Sequence, residues 1–137
     1  MELPGGVAVG NAADEGRGRG GWFIGHFIEA ALGLRRSAEV EVKWGAHRAG
    51  ETKSADGAND SATTLSILVS GRFLLEFPDT GEEARLERPG DYALWPRGRW
   101  HRWTVLEDAV ILTVRWPSRP GDQRSRAGDQ RARGAPA

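Results

Sequence analysis

The stretch GDYALWPRGRWHRW (residues 90–103) decides how this chain folds. It opens on Gly90-Asp91, runs through a short apolar segment, reverses at Pro96-Arg97-Gly98 and reaches His101 three residues after Gly98. Three of the protein's six tryptophans, Trp95, Trp100 and Trp103, lie within it. A glycine admits the chain to a strand, and the Pro-x-Gly turn ends that strand. His101 then stands at the start of the next strand, facing inward, with Trp103 two residues on and therefore on the same face.

Strand signals continue on both sides. WFIGHFI (22–28) is short and aromatic, and VEVKWGAH (40–47) alternates, with Val40, Val42 and Trp44 on one face and Glu41, Lys43, Gly45 and His47 on the other. TTLSILVSGRFLLEF (63–77) exceeds an ordinary strand, so Ser70-Gly71 predicts a turn that divides it into a hairpin. EARLERP (83–89), DYALWP (91–96), HRWTVLE (101–107) and AVILTVRW (109–116) follow at short intervals. Seven or eight closely spaced strands without a helical period predict an all-β sandwich or small barrel. Residues 50–62, GETKSADGANDSA, are polar and glycine-bearing and predict a mobile loop.

Composition bounds the rest. A chain of 137 residues is long enough for one domain with a sizeable core. The formal net charge of zero gives no general basis for binding nucleic acid or an anionic membrane. Cysteine is absent, which excludes disulfides, thiolate metal sites and a cysteine nucleophile. No apolar segment has membrane-spanning length, and the first residues lack the basic-then-apolar layout of a secretion signal, so a cytoplasmic location is expected. Basic residues are 17 arginines against two lysines, Lys43 and Lys53, so a lysine carries more information here than an arginine.

Residues 1–21 are mostly glycine, alanine and charge and predict a flexible leader. Residues 118–137 contain no large apolar side chain and carry a tandem, GDQRSRA then GDQRARG, which predicts a disordered basic tail rather than a nucleic-acid arm. The folded domain is thus expected over residues 22–117.

The spacing of Gly90, Pro96, Gly98 and His101 resembles the second motif of the cupin superfamily. That resemblance implies a cupin-type antiparallel jelly-roll barrel. The family's first motif is partly present: Gly45-Ala46-His47 keeps the second of its two histidines with Gly45 in place of the first, and Gly71 fits its closing glycine. Its glutamate falls on Thr64 counted back from Gly71, or on Glu51 counted forward from His47. The resemblance implies that Lys43, His47, Thr64, Ser66, His101 and Trp103 face the barrel interior as ligand-binding residues. It also implies one divalent metal ion (Fe, Mn, Ni or Zn) held by His47, His101 and Glu51.

The expected function is binding of a small organic molecule in the barrel, in one reading as a metal-assisted isomerase, cyclase or oxygenase. The other reading is a non-catalytic binding or sensing protein with a vestigial metal site. Lys43 is read either as an anion anchor or as the partner of Glu41 at the barrel rim, and Trp103 either as a stacking surface for a flat ligand or as barrel filling. Arg115 is read either as reaching the pocket or, the favoured reading, as paired on the surface; His26 is expected to be a satisfied strand histidine. The apolar face of Val40, Val42 and Trp44 predicts a homodimer joined through the early strands.

Overall fold

The computed structural model describes residues 1–127. The second GDQR unit and the residues after it, 128–137, expected as disordered tail, lie outside the described residues. Ten strands, one short α-helix and a 3-10 segment follow in order: β1 (Glu2–Leu3), β2 (Val7–Ala8), α1 (Ala12–Glu15), β3 (Trp22–Ile24), the 3-10 segment (Ala30–Arg35), β4 (Glu41–His47), β5 (Ala55–Asn59), β6 (Thr63–Phe77), β7 (Glu82–Leu86), β8 (Tyr92–Trp95), β9 (Arg102–Trp116) and β10 (Gln123–Ala127). All strand pairs are antiparallel. The main sheet runs β3-β4-β9-β6-β7, with β8 also paired to β6. The fold is an all-β jelly roll. Among the described residues no helix is long and apolar enough to cross a membrane.

The two longest strands organise it. Residues 63–77 form one continuous strand rather than the hairpin expected at Ser70-Gly71. Residues 102–116 likewise form one strand, joining the segments 101–107 and 109–116 expected to be separate. The two pair with each other along nearly their whole length, and the register shifts between Leu68 and Phe73 mark where β6 bends. Gly71 is required at that bend. Its φ of +84° favours glycine, and a Cβ there would lie 2.0 Å from the Asp108 carbonyl oxygen. A turn residue and a bulge residue carry the same local signature, and close approach to β9 selects the bulge.

Beyond the bend, the second half of β6 (Phe73, Leu75, Phe77) packs with Leu86, Val105 and Trp95 in the buried apolar core. Before it, the strands β4-β9-β6-β8 lie side by side with their residues in register. Two rows face inward, Lys43–Thr113–Ser66–Ala93 and Glu41–Arg115–Thr64–Trp95. Two rows face outward, Trp44–Leu112–Ile67–Tyr92 and Val42–Val114–Leu65–Leu94.

Both expected boundaries of the folded domain change. Residues 1–21 form a small hairpin and α1, capped by the Asn11 side chain, and they pack on the barrel. The Trp44 amide donates to the Gly21 carbonyl, and Arg35 holds Glu15 at 2.7 Å. Residues 118–127 are docked as well, because β10 pairs with β5 in the segment expected to be a mobile loop. Polar rather than apolar burial holds this pair. The Asp122 carboxylate accepts from the Asn59 side chain, the Ser61 hydroxyl and the amides of Ser61 and Ala62. Arg126 reaches Asp56 and Asp79, and Arg124 lies 2.6 Å from Asp60. Those two arginines of the first GDQR unit are thus matched by carboxylates of this chain.

Candidate functional site

The inward rows close one side of a cavity of about 170 Å³ inside the barrel. Lys43, His47, Thr64, Ser66, His101 and Trp103, the six residues expected to face inward, all line it. So do Arg115, for which the pocket was the less favoured expectation, and Lys53, Trp22, Trp95 and Gln123, which sequence reasoning did not place there. Lys53 comes from the segment expected to be a mobile loop. The bridge between Gly57 and His101, with hydrogen bonds of 2.8 and 2.9 Å, fixes this segment against the start of β9. Gly57 lies against both groups: a Cβ there would lie 2.5 Å from Lys53 Nζ and 3.7 Å from His101 Cε1. Both lysines of the chain therefore end in the same cavity.

His101 is buried, 3% exposed, with Nδ1 3.4 Å from the Arg99 carbonyl and its ring against Trp95 at 4.8 Å. Burial, then the nearby Lys53 and Arg115 charges, push its pKa down to about 3, so it is neutral at physiological pH. Burial and repulsion from Arg115 and Lys43 push Lys53 down to about 8, with Asp56 acting in the opposite direction. Asp56 is already shared by Arg102 and Arg126. Lys43 is lowered by burial and by Arg115 and lies over the Trp22 ring at 5.8 Å.

Arg115, expected on the surface, is buried beneath the cavity and paired with Glu41 at 3.6 Å. Its guanidinium also stacks on Trp22 at 4.9 Å. Glu41 thus pairs with Arg115 and with the Ser118 hydroxyl at 2.8 Å rather than with Lys43. His26, expected on a strand, lies in the turn after β3 with Nδ1 2.8 Å from the Ser118 hydroxyl. Two buried donors at the cavity, the Thr64 hydroxyl and Arg115 Nε, have no acceptor among the described residues.

The residues implied as metal ligands are not assembled around one point. Glu51 is exposed and does not line the cavity; it meets His47 Nδ1 at 3.1 Å. The Arg48 backbone, then the His47 ring, hold its carboxyl below the usual range. A side chain at Gly45, where the family's first histidine stands, would lie 2.9 Å from His47 Nε2. Among the described residues no group of three His, Asp or Glu side chains converges. A divalent ion would share the cavity with Lys43, Lys53 and Arg115, and coulombic repulsion opposes that. The residues present do not fit a resident metal.

No protein-family model matches the sequence, and no curated protein matches it. Solved structures do. A cupin superfamily protein from Desulfitobacterium hafniense aligns at 19% identity and a TM-score of 0.53, over 61% of this chain and 72% of its own. The chain has the cupin fold. A double-stranded β-helix protein from Klebsiella pneumoniae aligns at 18% identity and a TM-score of 0.58, over 68% of this chain and 78% of its own. A PAC13 variant from Streptomyces, solved with uridine, aligns at 13% identity and 0.57, over 70% and 76%. The cupin fold accounts for the bent pair β6 and β9 and for the cavity between their inward rows.

Proposed function

We propose that this cupin binds a small organic anion, such as a short-chain or monocyclic carboxylate, in its barrel cavity without a resident metal ion. The observation that carries this reading is the convergence of Lys43, Lys53 and Arg115 on one cavity. Like charges crowded out of water are costly, and an anion offsets that cost. The unpartnered Thr64 hydroxyl and Arg115 Nε supply two directional donors for a carboxylate. Trp22, Trp95 and Trp103 supply flat walls for the apolar part. The cavity is smaller than the roughly 300–1,000 Å³ typical of drug-sized ligands, which favours a compact molecule. The uridine in the Streptomyces neighbour supports small-molecule binding as a use of this fold, although its chemistry differs from an anion's.

The test is calorimetric titration of the full, untagged chain with benzoate, short carboxylates, inorganic phosphate and their neutral counterparts. Carboxylates are expected to bind and neutral counterparts to bind at least tenfold more weakly. Equal binding of both classes would overturn the reading. Elemental analysis of the same sample tests the rival. One equivalent of iron, manganese, nickel or zinc, with binding lost on chelation, would restore the metal-assisted isomerase, cyclase or oxygenase.

A further inference from the structure

The chain has 17 arginines and two lysines, and both lysines end in the cavity. To balance the charge of an anion, a guanidinium serves as well as an ammonium. What a lysine adds is a lone pair on its deprotonated nitrogen, which a guanidinium does not offer because it stays protonated in proteins. The two lysines are placed differently. Lys43 Nζ lies over the Trp22 ring, 5.8 Å from its centroid, a contact that favours the cation. The Lys53 amine stands against Gly57, where a Cβ would lie 2.5 Å from Nζ and 3.7 Å from His101 Cε1, so its neighbour is an uncharged imidazole. Burial and the charges of Arg115 and Lys43 favour the neutral amine, and Asp56, which acts the other way, is shared with Arg102 and Arg126. We propose that Lys53 is a nucleophile and that its amine forms an imine with the carbonyl carbon of a short 2-oxo acid.

This rests on the anion reading of the cavity and names the anion. The Thr64 hydroxyl and Arg115 Nε, without acceptors among the described residues, are the donors for the carboxylate. A cavity of about 170 Å³ holds one compact molecule, so the carbon that Lys53 attacks lies close to that carboxylate. A carbonyl next to a carboxylate meets both demands. The step balances with no further reactant. The Nζ lone pair forms the C–N bond while the carbonyl π pair moves to oxygen. Both protons of the amine then pass to that oxygen, the C–O bond breaks, and the oxygen leaves as water. Nothing is oxidised or reduced, and Lys43 and Arg115 remain as counter-charges for the carboxylate.

Reductive trapping tests it. The full, untagged chain is incubated with sodium cyanoborohydride and either pyruvate or lactate, then examined by intact-mass spectrometry and peptide mapping. Reduction of the imine adds the mass of pyruvic acid less one oxygen atom. Only Lys43, Lys53 and the N-terminal amine compete, so the map assigns the position. Pyruvate is expected to give one adduct per chain, on Lys53, and lactate none. Lys53→Arg, which keeps the charge without the nucleophile, is expected to give none with either acid. An adduct spread evenly over Lys43, Lys53 and the N-terminus would be ordinary surface chemistry and would overturn the inference. Calorimetry with lactate separates this from the anion reading. If lactate binds and pyruvate leaves no adduct on Lys53, the lysine is a counter-charge alone, and the nucleophile falls while the anion site stands. If neither acid binds, both fall.

Discussion

The two faces of the β4-β9-β6-β8 sheet are reversed relative to an ordinary soluble sheet. The face toward the barrel carries Lys43, Thr113, Ser66, Glu41, Arg115 and Thr64 beside Ala93 and Trp95, and the face toward the outside carries Trp44, Leu112, Ile67, Tyr92, Val42, Val114, Leu65 and Leu94. Alternation normally sends apolar residues to the core and polar ones to water. The half of the barrel beyond the Gly71 bend obeys that rule, with Phe73, Leu75, Phe77 and Val105 inside. The contrast teaches where stability and chemistry are separated in this molecule. One half of the barrel supplies the core, and the other gives up core packing for a polar cavity and an apolar exterior.

The largest expected effect comes from removing the strand that closes the polar half. Truncation after residue 117 deletes Ser118, Asp122 and β10, and it strips acceptors from Asn59, Ser61 and Ala62. The melting temperature is expected to fall by roughly 10 °C or more. An unchanged melting temperature would mean that the cavity half stands without its cover.

Arg115→Met comes next. It leaves buried Glu41 without its cationic partner, and urea denaturation is expected to register a loss of about 3 kcal/mol. A loss below about 1 kcal/mol would mean that the inward charges are solvated, and the contrast between the two faces would weaken.

Lys53→Met sharpens the comparison from the other side. It removes a desolvated charge, so stability is expected to hold or rise while carboxylate affinity drops about tenfold, roughly 1.4 kcal/mol. The same group sets a pH dependence. Lys53 carries its charge below about pH 8, so carboxylate affinity is expected to fall as pH rises through that value. Its folded pKa lies below the usual 10.5, so between about pH 8 and 10.5 the unfolded chain holds the extra proton and folding stability rises with pH. Titration of affinity from pH 6 to pH 10 checks the first statement. Flat affinity would remove Lys53 from the site.

Thr64→Val is the gentlest probe. It deletes a buried hydroxyl that has no acceptor among the described residues, so stability is expected to change by a few tenths of a kcal/mol at most, while carboxylate affinity weakens several-fold.

Much of the fold was legible in the chain because its cues are local. Gly90, Pro96 and Gly98 carry turn chemistry at a fixed spacing from His101, and the family resemblance implied inward faces for Lys43, His47, Thr64 and Ser66, which strand alternation only grouped by side. What the sequence concealed depends on partners distant in the chain. Residues 55–59 look like a loop because the side they bury is Asp56, Gly57, Ala58 and Asn59. Those residues become a strand only against Arg102, Asp122 and β10. The arginines of the first GDQR unit look like a solvated tail until Asp56, Asp60 and Asp79 are placed beside them. Lys53 did leave a trace. In a chain that uses arginine for nearly every cation, its being one of two lysines set it apart, and pairing it with Lys43 would have pointed to the site.

The pairing of β5 with β10 also constrains the order in which the molecule can be completed during folding. Residues 55–59 wait for residues 123–127, a separation of more than 60 positions, while β6, β7, β8 and β9 pair over shorter separations. Long-range pairings of this kind close late, because the loop entropy is lost before the contact forms. On refolding, the apolar half can therefore assemble ahead of the wall that carries Lys53. A chain caught before β5 and β10 join would hold a formed core with an open cavity, and the anion affinity proposed above would mark the joining of the last strand.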